Sequence, residues 1–233
     1  MAKKEDKENA KEEPKKKGGC LRSVLMLALL LLAVLGIFAY LTFDSQDLSD
    51  IDGRRKEVSA VPAPGRDLAK VLESALKGGH SATLTEREIN HYLINTLKLR
   101  QEGVFKNHLE LKGVWVRLKE DQAEVIIERE FKGGRRHTIS MFIQVEQVAT
   151  EEGGVKSSVS YQSADPPILG FFRWGGRFGR VKVFQGYLIM VMGGFDSLSL
   201  AYGDELAIMK QMFKGMTRVT IKEGELILTP PES

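Results

Sequence analysis

From Ser23 to Phe43 the chain carries 21 consecutive residues without a charge, SVLMLALLLLAVLGIFAYLTF. Nothing else in the sequence narrows its possible folds as much. A helix of that length is about 31 Å long, the thickness of a bilayer's hydrocarbon core. Thirteen of the residues are Leu, Ile, Val or Phe, and together they favour insertion by up to about 4 to 8 kcal/mol. The alternative, a cleaved signal peptide, would have a shorter apolar region followed closely by a small-x-small site. Ala39-Tyr40-Leu41 is a poor match to such a site, and Val58-Ser59-Ala60 lies too far downstream. An uncleaved anchor is therefore expected.

The flanks suggest an orientation. Lys15, Lys16, Lys17 and Arg22 precede the run, and Asp44, Asp47, Asp50 and Asp52 follow it. Basic residues stay on the cytoplasmic side, so the N-terminus is expected inside and the C-terminal part outside. Asn-x-Ser/Thr sequons are absent, which suits a bacterial inner membrane and periplasm. Charge then removes one class of function. Residues 1–22 hold eight Lys/Arg and five Asp/Glu, while the rest of the chain balances 26 against 26. The alkaline pI thus belongs to the tail and gives no reason to expect nucleic-acid binding. Cys20 stands alone, so the domain needs no disulfide.

The expected organisation is a disordered cytoplasmic tail (1–22), a signal anchor (23–43), a linker (44–66) and an extracytoplasmic domain (67–233). The linker is charged and then Pro/Ala-rich, and 23 flexible residues would hold the domain within about 26 Å of the bilayer.

Within the domain, Asp67 can cap a helix whose apolar positions are Leu68, Val71, Leu72 and Leu76, ended by Gly78-Gly79. Thr85-Glu86-Arg87-Glu88 is a capping box for a second helix with a stripe of Ile89, Tyr92, Leu93 and Leu97. Alternating runs follow around Val114–Leu118, Ala123–Ile127, Ile139–Val145 and Val155–Tyr161, separated by short turns. Such a pattern makes an antiparallel meander with one wet face, on which Glu124, Glu128, Gln144 and Glu146 would lie. Phe184–Ala201 fits a helix better than a strand, with Gly193-Gly194 as its weak point. Asp204 can cap a further helix, and Val219–Leu228 reads as a hairpin turning at Glu223-Gly224. The fold class is α+β: one transmembrane helix, then a curved antiparallel sheet packed on one or two helices.

No chemistry-bearing constellation emerges. His80, His91, His108 and His137 lack metal-ligand spacing, and no nucleophile elbow or phosphate loop is present. Glu86, Glu88 and Asn90 are explained more simply by capping than by paired-carboxylate catalysis. Neither an enzyme nor a cofactor is expected. Ile168–Arg180 mixes aromatics with arginines. It is either a packed connection or a contact loop in which Phe171, Phe172, Trp174 and Phe178 enter lipid or ligand while Arg173, Arg177 and Arg180 meet phosphate. The methionines at 190, 192, 209, 212 and 216 are either ordinary core or the adaptable wall of a cavity. On the second reading Leu188, Met192, Met209 and Met212 line a groove.

The run Leu84-Thr85-Glu86-Arg87-Glu88-Ile89-Asn90-His91-Tyr92-Leu93 resembles an opening motif of small bacterial envelope proteins related to the tubular lipid-binding superfamily. The order of elements over about residues 67–229 is similar as well. The resemblance implies a bent sheet wrapped on a helix around an apolar groove, and it carries no catalytic residues. Binding of a membrane lipid or another apolar ligand is the first expected function. The alternative is a non-enzymatic scaffold or assembly subunit working with other envelope proteins.

Overall fold

The computed structural model describes residues 19–54, 66–96, 109–149, 155–168, 170–190, 192–214 and 218–230. It divides into two compact units, Met1–Ala39 and Tyr40–Ser233. Helix α1 (Gly19–Phe43) supplies the first. From Arg22 to Phe43 it is long and apolar enough to cross a membrane. Its last turn, from Tyr40 on, is counted with the second unit.

The second unit is α+β with antiparallel sheets. Helix α2 (Leu68–Gly78) starts where expected: the Asp67 carboxylate accepts from the Lys70 amide, and Gly79 closes the helix at φ 59°. Leu68, Leu72 and Ala75 point into a core shared with Ala82, Leu84, Val219 and Leu228. Those last four residues belong to a three-stranded sheet that only partly follows the sequence pattern. β1 (Ala82–Thr85) pairs with the distant strand Glu225–Thr229, which in turn pairs with Arg218–Lys222 in the expected C-terminal hairpin.

Helix α3 (Glu86–Thr96) opens with the capping box intact. The Glu88 amide donates to the Thr85 hydroxyl at 3.2 Å, and the Thr85 amide donates to the Glu88 carboxylate at 3.0 Å. Thr85→Ala is expected to cost about 1 kcal/mol of stability, read as a shift in the denaturation midpoint. The Tyr92 hydroxyl, on the same helix, donates to Glu205.

The meander follows as β2 (Leu109–Lys119), β3 (Gln122–Phe131), β4 (Arg136–Ala149) and β5 (Val155–Ser160). β4 has 14 residues and pairs with β3 along one edge and with two strands along the other. Its second half pairs with β5, and its first half pairs with β6 (Trp174–Phe178), which turns back as β7 (Val181–Phe184). The main sheet thus runs β2-β3-β4-β6-β7. The region expected to be one helix from Phe184 to Ala201 instead divides into the end of β7, a 3-10 turn (Gln185–Met190) and α4 (Met192–Ala201). α5 (Gly203–Lys214) and then β8 (Arg218–Lys222) and β9 (Glu225–Thr229) complete the chain.

Alternation in β3 decides what each face of the main sheet meets. Ile127 joins Val114, Ile139, Met141, Leu188 and Phe195 in a second core. On the opposite face stand Glu124, Ile126 and Glu128, and this face is not wet as expected. Glu124 is 2% exposed and Glu128 is 3% exposed. Residues 44–54, read from the sequence as linker, lie across it, with Leu48 and Ile51 packed on Trp115 and Ile126. A charged, Asp-rich stretch can act as a cover because its few apolar residues are spaced to fill that face. Its acids meet arginines of the domain. The linker expectation is therefore corrected over residues 44–54, while 55–65 lie outside the described residues.

Candidate functional site

Two places concentrate chemistry. The first is the charged layer under the 44–54 strap. Arg117 on β2 donates from Nη1 to Glu124 at 2.7 Å, and from Nη2 to Asp50 at 2.7 Å and to the Asp47 carbonyl at 2.8 Å. The other oxygen of Glu124 accepts from the Ser140 hydroxyl at 2.5 Å and lies 3.4 Å from the Arg177 guanidinium. Glu128 accepts from Trp115 Nε1 at 2.9 Å, Arg54 at 3.0 Å and Arg136 at 3.1 Å. Glu86 accepts from the amides of Asp52 and Leu118, both at 2.7 Å. Burial nonetheless pushes its pKa above the ordinary carboxylate value. Asn90, fully buried, bridges the Asp52 carbonyl and both polar groups of the Val116 backbone. Both carboxylate oxygens of Glu86, Glu124 and Glu128 have partners, and these contacts clamp the strap to the sheet.

The strap begins at the end of α1. Phe43, Phe131 and His137 form a trio with ring centroids 6.1 to 6.5 Å apart. Burial first, then the charges of Arg129 and Arg135, hold the His137 pKa below histidine's ordinary value, against a hydrogen bond with the Thr42 backbone. A histidine kept neutral in the fold but free to protonate when unfolded contributes stability above its ordinary pKa of about 6.5. That contribution is lost as pH falls through the ordinary value and on through the lowered one. The thermal midpoint is expected to drop between about pH 7 and pH 5, and His137→Gln is expected to flatten this drop.

The second place is a surface pocket of about 310 Å³ lined by Phe171, Phe172, Arg173, Phe184, Gln185, Gly186 and Tyr187. An aromatic ladder backs it: Phe171 to Phe172 at 4.2 Å, Phe172 to Phe184 at 5.0 Å, then Phe184 stacked on Trp174 at 4.8 Å. Phe171 is 70% exposed, Tyr187 54% and Phe172 42%. The β6–β7 hairpin builds the pocket by folding Phe184 back beside Trp174. Gly175 and Gly176 make this strand possible. A side chain at Gly176 would stand 2.0 Å from the Ser140 carbonyl, and one at Gly175 would strike Gln185 and Leu188.

The residues expected at a contact site therefore separate. Phe171, Phe172 and Arg173 line the pocket, and Trp174 supports it from behind. Arg177 instead faces Glu124 and lies over the Phe142 ring, and Phe178 packs on the second core. Leu188, expected to line a groove, is buried in that core with Phe195 and Val114. The side chains of Met192, Met209 and Met212 lie outside those described. Phe184, Gln185 and Tyr187 were not expected there. Recognising Gly179-Arg180 as a tight turn would have folded them onto Trp174.

Charge separates the three arginines of this segment in the same way. Arg177 pairs with Glu124, and Arg180 pairs with Asp44 at 3.0 Å. Among the described residues Arg173 has no acidic partner. The hairpin's turn meets the end of α1, where the Arg180 amide donates to the Leu41 carbonyl at 3.1 Å. The pocket is at the hairpin's other end, about 17 Å along a five-residue strand. The aromatics therefore do not lie beside the residues that continue α1. Among the described residues no group of His, Cys, Asp and Glu could hold a metal ion.

Compared with protein-family models, with curated proteins and with solved structures, the chain matches none.

Proposed function

We propose that this chain is a membrane-anchored, non-enzymatic binding protein that takes the apolar group of an anionic amphiphile, a lipid or lipid-like molecule, at the Phe171–Tyr187 pocket. The observation that carries this reading is Arg173, without an acidic partner among the described residues, beside exposed Phe171 and Phe172. A half-buried cation set against open aromatic surface complements a ligand with a negative head and an apolar tail. The pocket volume of about 310 Å³ is at the small end of ligand sites, which suits one chain or ring rather than a whole two-chain lipid. The anchor would cross a bacterial inner membrane with its basic flank in the cytoplasm and the domain in the periplasm. The likeness of Leu84–Leu93 to tubular lipid-binding relatives points the same way, although the site proposed is a surface pocket and not a sheet–helix groove.

The test is native mass spectrometry of the full chain extracted from membranes. A retained anionic amphiphile is expected, and Arg173→Gln is expected to weaken its retention by roughly tenfold or more. Repeated preparations without any retained amphiphile would refute the proposal. The alternative, an assembly subunit of an envelope complex, is favoured by Leu200 and Leu206, which are 85% and 44% exposed near the α4–α5 corner. It predicts a ligand-free chain that copurifies with protein partners, and a loss of those partners in Leu200→Asp.

A further inference from the structure

The acids that follow the apolar run are mostly engaged by the domain. Asp44 pairs with Arg180, Asp50 with Arg117 and Asp52 with Arg87. The side chain set over the last turn of α1 is basic. The β3–β4 turn places Arg135 over the Tyr40 ring, 5.6 Å from its centroid. Lys132 and Arg135 are exposed, and neither has a carboxylate partner among the described residues, unlike Arg136, which pairs with Glu128. Arg129, facing His137 across the same hairpin, is partly buried with its Nε unbonded, and it too lacks an acid among the described residues. Between Lys132 and Arg135 the turn is Gly133-Gly134, and around both positions there is open space where a side chain would stand. An anion can reach the turn unobstructed.

Tyr40 sits near the end of the apolar run, which closes at Phe43, so if α1 spans a bilayer its ring lies at headgroup level. Arg135 is stacked on that ring, and Lys132 and Arg129 share its hairpin. Each such cation near an anionic surface strengthens the attraction several-fold. We propose that Lys132, Arg135 and Arg129 form a headgroup-phosphate site that holds an anionic bilayer lipid beside the exit of the anchor. The proposal rests on α1 crossing the membrane but not on the aromatic pocket. The two sites use different elements: the pocket is on the β6–β7 hairpin, and the basic cluster is on the β3–β4 hairpin.

The experiment places the full chain in nanodiscs of phosphatidylcholine mixed with phosphatidylglycerol and ejects it for native mass spectrometry. The expected result is preferential retention of phosphatidylglycerol. Measured in the Arg173→Gln background, so that the aromatic pocket does not contribute, the exposed-turn double variant K132Q/R135Q is expected to reduce that preference by roughly tenfold or more. Equal retention of the two lipids, or an unchanged preference in K132Q/R135Q, would overturn the site. Suppression of the preference by inorganic phosphate would also overturn it, as the mark of a free-anion site. A chain that fails to enter nanodiscs at all would overturn the anchor reading itself, a result distinct from an embedded chain without lipid preference.

Discussion

Replacing Arg117 with methionine is expected to be among the most damaging single substitutions in the domain. The guanidinium side chain is 6% exposed and compensates Glu124, whose side chain is 2% exposed. Removing it leaves a buried carboxylate whose remaining cation, Arg177, is 3.4 Å away and off the hydrogen-bonding axis. Breaking a buried pair from one side costs about 3 to 5 kcal/mol. In a domain of this size that is a fall of roughly 10 °C in the thermal midpoint. The double variant R117M/E124L removes both charges and is expected to recover most of the loss, because apolar replacements of a buried pair are often neutral. A double variant no better than the single would show that the damage comes from packing and not from the orphaned charge.

The second large effect is expected at Gly179. It adopts φ 54°, and a Cβ there would stand 2.2 Å from the Asp44 carbonyl, 2.5 Å from that of Thr42 and 2.7 Å from that of Leu41. Three backbone oxygens cannot step aside as a flexible side chain would, so Gly179→Val must separate the β6–β7 turn from the start of the strap. The Arg180 amide would lose the Leu41 carbonyl, and the Arg180–Asp44 pair would open. The left-handed conformation alone costs about 1 to 2 kcal/mol, with the clash added to it. Gly134 is the matched control: its φ is 79° but a Cβ there meets nothing, so Gly134→Ala is expected to cost about 1 kcal/mol. Limited proteolysis would read the difference. Cleavage between residues 44 and 54 should rise sharply in the Gly179 variant and stay at the wild-type rate in the Gly134 variant.

Legibility followed distance along the chain. The Asp67 cap, the Thr85–Glu88 box, the meander and the turn at Glu223-Gly224 are local arrangements, and the residues that make them are neighbours in sequence. β1 was not readable because its partner, β9, begins 140 residues later, and four residues give little pattern. The face carrying Glu124 and Glu128 read as wet because an alternating polar strand normally is. What covers it comes from more than 70 residues away, and only Leu48 and Ile51 within a charged stretch hinted at the cover. β6 was hidden by its glycines, which read as breakers although close approach of the Ser140 carbonyl demands one. The pocket was half legible for the same reason. Phe171, Phe172 and Arg173 stood out by composition, but without the strand there was no basis for sending Arg177 to one face, Phe178 to the other and Phe184 back over Trp174.

The central structural claim is that the chain between Tyr40 and Arg54 is part of the folded domain and not a tether to it. Hydrogen exchange on the full chain in detergent tests this most directly. The Gln46 amide donates to the Thr138 hydroxyl at 3.0 Å and the Asp52 amide to Glu86 at 2.7 Å. The account predicts protection of both amides on the scale of the β3 amides around Ile126, exchanging with the domain as one unit. Exchange at the rate of an open chain across residues 44–54, with β3 still protected, would contradict it.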